Sequence, residues 1–120
     1  RLNYRQYDPG HITENIIYNE LLRRGYSVDV GVVTDRTGGA NTQKEIDFVV
    51  NDADKKIYIQ SAFQMDADKK ESSELASLIL TKDFFKKNIV RMDIPHNFYD
   101  DNGIFHCNLI DLLLGRVELF

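Results

Sequence analysis

Two short apolar runs, separated by five polar residues, constrain this chain more than any other feature. Residues 44–50 read Lys-Glu-Ile-Asp-Phe-Val-Val and residues 56–62 read Lys-Ile-Tyr-Ile-Gln-Ser-Ala. Apolar β-formers dominate both, and Asn51-Asp52-Ala53-Asp54-Lys55 joins them as a polar connector, so the pair predicts a β-hairpin. Alternation places Ile46, Phe48 and Val50 on one face and Glu45, Asp47 and Val49 on the other. Pairing Val50 with Ile57 then sets Asp47 opposite Gln60 and Glu45 opposite Ala62, where cross-strand side chains stand close enough to share a ligand. A slip of one residue would send every side chain to the other face.

The flanking segments read in order. Residues 1–10 end in Asp8-Pro9-Gly10 and predict a non-helical linker or arm, followed by one domain over 11–120. His11 to Arg24 predicts a helix, capped near Thr13, striped with Ile16, Ile17, Leu21 and Leu22, and ended by Gly25. Glu14 shares a face with Ile17, Tyr18 and Leu21, an unusual place for a carboxylate because an unpaired charge is costly to bury. Tyr26 to Thr34 predicts a strand with Val28, Val30 and Val32 alternating, and Asp35 to Gln43 a Gly-rich loop without a phosphate-loop pattern. Beyond the hairpin, 71–81 predicts a helix on Leu75, Leu78 and Ile79, and 88–94 a strand stopped by Pro95. Asp100-Asp101-Asn102-Gly103 is a turn signal leading into a short strand, Ile104 to Cys107. Asn108 caps a last helix, Leu109 to Leu114, and Gly115 ends it. A hairpin mixed with helical crossovers predicts an α/β fold, with a sheet of mixed direction flanked by helices.

At 120 residues the chain suits one domain, which can bury about two-thirds of its unfolded surface. Hydrophobic residues make up 42% and charged residues 28%, ordinary proportions for a globular domain. A net charge of −4 excludes a strongly basic nucleic-acid footprint over the whole chain, though not a local patch. One cysteine, Cys107, rules out an internal disulfide and points to a reducing, cytoplasmic compartment. No apolar run reaches membrane-spanning length, so no membrane partner is expected. The chain opens on Arg1, so a piece of a longer protein is expected.

The order of elements, with Glu14 on the first helix and Asp47 on the second strand, resembles the PD-(D/E)XK, or restriction-endonuclease-like, fold. The stretch His-Ile-Thr-Glu-Asn-Ile-Ile-Tyr-Asn-Glu-Leu-Leu-Arg-Arg-Gly-Tyr over 11–26, the Glu-Ile-Asp-Phe-Val of 45–49 with Tyr58-Ile59-Gln60, and the ending over 103–113 are similar to the C-terminal domain of a bacterial and archaeal family of AAA+-type ATPases. The likeness covers the chain after residue 10. In active nucleases of this fold, a helix acid, a strand Asp and the acid of a Glu-x-Lys motif gather around Mg²⁺, which makes hydroxide from water and neutralises phosphoryl oxygens. The resemblance puts Glu14 and Asp47 on the first two positions, Gln60 on the third and Ala62 on the lysine. Gln60 still offers a carbonyl oxygen; Ala62 offers nothing, and a missing charged donor commonly costs about 2.7–4 kcal/mol of transition-state stabilisation. Lys69 and Lys70 are the nearest replacements in sequence.

The resemblance therefore implies a non-catalytic, nuclease-like accessory domain of an AAA+-type ATPase, used for interaction or substrate recognition. Its partners would be the upstream ATPase domain, which would bind ATP, and a protein or nucleic acid. A metal-dependent phosphodiesterase that uses Mg²⁺ at Glu14, Asp47 and Gln60 is the alternative, as is a nucleic-acid-binding module. Asp47 is explained equally by a solvent-facing strand acid, and Glu14 by a boundary acid paired with an arginine. His11, His96 and His106 show no metal-ligand spacing and read as structural or surface residues. Cys107 reads as a small core residue. The pairs Lys55-Lys56, Lys69-Lys70 and Lys86-Lys87 read as solvent-facing, with nothing in the sequence to put them on one side.

Overall fold

A computed structural model describes residues 9–35, 42–62, 78–79, 81 and 83–120. Its first element is helix α1, Pro9–Arg23. The helix thus starts earlier than the sequence predicts and takes in Pro9 and Gly10, which were expected to lie in a non-helical arm. A proline in the first turn loses no hydrogen bond, and its fixed φ suits a helix start. Thr13, the expected cap, lies inside the helix and is buried. Residues 1–8 of the expected arm fall outside the described residues. The other end matches its signal. Gly25 takes φ +85°, its N–H bonds to the Leu22 carbonyl at 2.9 Å, and the Tyr26 N–H reaches the Leu21 carbonyl at 3.2 Å.

Six strands follow: β1 Ser27–Asp35, β2 Thr42–Asp52, β3 Lys55–Ala62, β4 Lys86–Arg91, β5 Phe98–Tyr99 and β6 Phe105–Asn108. They form one sheet in the order β1-β2-β3-β4-β6-β5. β1, β2 and β3 pair antiparallel, β4 joins β3 in parallel, β6 joins β4 in parallel, and β5 closes antiparallel on β6. The predicted register holds, because Val50 pairs with Ile57. The hairpin turn is tighter than the five-residue connector suggests, since Asp52 pairs with Lys55 and only Ala53 and Asp54 lie between them. Ala53 takes φ +57° there, a left-handed position that a glycine would fill at less cost.

Helix α2, Leu109–Leu113, ends the fold. Asn108 caps it as expected, its side-chain oxygen accepting the Ile110 N–H at 2.8 Å. Gly115, φ +73°, follows its end. Ile17 and Leu21 of α1 and Leu109 and Leu112 of α2 bury against Phe48, Val50, Ile57, Ile59, Val90 and Cys107 on one face of the sheet. Arg24 fastens the two helices across that core by donating to the Leu112 carbonyl at 2.7 Å while its guanidinium pairs with Glu20. The opposite face carries a smaller cluster of Ile46, Tyr58, Ala62 and Ile89 under Leu78 and Ile104. Of the helix predicted over 71–81, only residues 78, 79 and 81 are described.

One prediction for β2 fails. Ile46 packs with Val49 on the face away from α1, while Phe48 and Val50 face α1, so Ile46, Phe48 and Val50 do not share a face. The cause is a β-bulge. Asp29 pairs with Val49 and Gly31 with Ile46, so Asp47 and Phe48 together oppose Val30 alone. Gly31 makes room for it: a Cβ there would lie 2.7 Å from Val49 Cγ2 and 3.3 Å from Ile46 Cβ. Val30 and Val32 are exposed on the edge strand rather than core.

Candidate functional site

The bulge sits where the sequence places the candidate site. Bulges re-aim side chains and interrupt pairing. Regular pairing of β2 with β3 runs from Asp52 and Lys55 to Phe48 and Ile59, and side chains take over beyond it. The Asp47 N–H donates to Gln60 Oε1 at 2.7 Å, and the Ser61 N–H donates to Asp47 Oδ2 at 2.8 Å. The Gln60 amide nitrogen leans towards the Glu45 carbonyl at 3.5 Å. Asp47 and Gln60 are therefore brought together, as the register predicts, but Gln60 serves as a substitute piece of backbone. Its carbonyl oxygen is engaged on the Asp47 N–H, and the residue is 4% exposed.

Asp47 is the perturbed group of the site. Burial pushes its carboxyl up to about 6, the carboxylates of Glu14 and Glu45 push it the same way, and the Ser61 N–H opposes them. Glu14, half-buried on α1, is thus close enough for its charge to act on Asp47.

Ala62, on the lysine position of the resemblance, shares the face of β3 that Gln60 and Tyr58 present. It is 3% exposed and packs in the cluster on the face away from α1, where it offers only a methyl group. The cation next to it in the sheet is Arg91, its partner in β4. That guanidinium is committed elsewhere, donating to Asp93 at 2.6 and 2.8 Å and to His106 Nδ1 at 3.0 Å. Lys69 and Lys70 lie outside the described residues. Among the described residues, no group of three or more His, Cys, Asp or Glu side chains is placed to hold a metal ion. Of the oxygens that the resemblance would turn towards Mg²⁺, Gln60 Oε1 accepts the Asp47 N–H and Asp47 Oδ2 accepts the Ser61 N–H.

Sequence reasoning missed a second polar cluster, at the β4 and β6 ends. A guanidinium only donates, so His106 Nδ1 accepts from Arg91 and Nε2–H donates to Asp100 at 2.8 Å. Phe98 stacks on the His106 ring at 4.4 Å, which holds β5 in place. His106 is 1% exposed, consistent with the structural role expected of it. Cys107 is fully buried, and burial pushes its thiol up to about 11, which leaves it unreactive. The lysine pairs also have a place now: Lys55, Lys56, Lys86 and Lys87 meet at one end of β3 and β4, at the opposite end of β3 from Gln60.

No family model matches the chain. A protein of Haemophilus influenzae, described only as an uncharacterized protein, is 42% identical to it over 104 residues. The match takes in 84% of this chain and 22% of that protein, so the chain spans about a fifth of the length of the curated relative it matches. No described helix is long and apolar enough to cross a membrane.

Proposed function

We propose that this chain is a nuclease-like accessory domain without catalysis, serving interaction or substrate recognition beside the ATPase domain of a longer AAA+-type protein. Three antiparallel strands followed by a parallel fourth, with an acid-bearing helix in front, support the nuclease-like part of this reading. The observation that carries the loss of catalysis is the engagement of Gln60 Oε1 on the Asp47 N–H, with the buried methyl of Ala62 where the motif has a lysine. The third acid and the lysine of the motif have become a ladder prop and a core methyl. The much greater length of the H. influenzae relative supports a place within a larger chain. ATP would belong to that larger chain, and its binding partner would be recognised through surfaces other than the site.

A second reading, a metal-dependent phosphodiesterase, is favoured by the raised Asp47 carboxyl beside Glu14, since perturbed carboxylates gather in catalytic sites. Incubation with single- and double-stranded DNA and RNA in Mn²⁺, beside Asp47→Ala, separates the two. The first reading expects no cleavage from either protein. Cleavage by the parent that the variant lacks would establish the second.

A further inference from the structure

We draw no further inference here: the strongest candidate, the outer edge of β1 where Val30 and Val32 stand exposed, pairs with no strand among the described residues, and nothing in the structure shows what covers it.

Discussion

The Asp47 N–H donates to Gln60 Oε1 at 2.7 Å at the point where the β2 and β3 ladder ends. A side-chain amide thus does the work of a missing strand partner. Removing it strands a polar group that is already partly dry. Gln60→Leu should cost about 1–3 kcal/mol, read as a lower urea midpoint with unchanged slope. An unchanged midpoint would mean that the ladder does not need this prop.

Asp47 makes stability depend on pH. Its carboxyl sits at about 6 in the fold against an ordinary 3.8, so the folded state holds the proton more tightly. The stabilisation from that proton is fully present below about pH 3.8 and is lost as pH rises through about 6. The ionised group then strains the fold by an amount on the order of 2 kcal/mol, less whatever solvent screens. Asp47→Asn keeps an oxygen for the Ser61 N–H and removes the charge. Thermal melting should show the variant more stable than the parent near pH 8 and equal to it near pH 4. A variant less stable near pH 8 would contradict a carboxyl raised by its burial and by the charges of Glu14 and Glu45.

Gly31 is where the bulge can be tested. Gly31→Ala puts a methyl 2.7 Å from Val49 Cγ2 and should cost about 1–3 kcal/mol. Val49→Ala removes the opposing methyls, so the double variant should lose less than the sum of the two single losses. Strict additivity in chemical denaturation would place Val49 away from Gly31.

Arg91 carries the buried polar cluster. Arg91→Met removes the guanidinium that Asp93 and His106 Nδ1 both accept from and should cost about 2 kcal/mol. Hydrogen exchange should rise at β5 and β6, because Phe98 stacks on the ring that Arg91 steadies. Exchange that rises evenly over the sheet would deny that local role.

What could be read from the sequence follows from the range of each interaction. The Val50 and Ile57 pairing was legible because two alternating apolar runs about a short polar turn fix a register. The end of α1 was legible in Gly25, and the cap of α2 in Asn108. The start of α1 was not, since Pro9 looks like a breaker and acts as a first-turn residue. Alternation misassigned Ile46 because a bulge is counted against the partner strand, and its one local sign was a glycine inside β1. β5 is two exposed residues held by pairing with β6 and by a ring stack on His106, so no periodicity announces it. Asp47 facing Gln60 was legible, whereas the bond that turns Gln60 into a prop depends on where the ladder breaks.

In the reading proposed above, Asp47 and Gln60 support the sheet and are not half of a metal site. The most direct measurement is a Mn²⁺ titration followed by paramagnetic broadening in the ¹H–¹⁵N spectrum. The amides of Asp47, Gln60 and Ser61 should broaden no earlier than those beside exposed acids such as Asp52 and Asp101. Saturable broadening centred on Asp47 and Ser61 at low Mn²⁺, absent in Asp47→Asn, would contradict it.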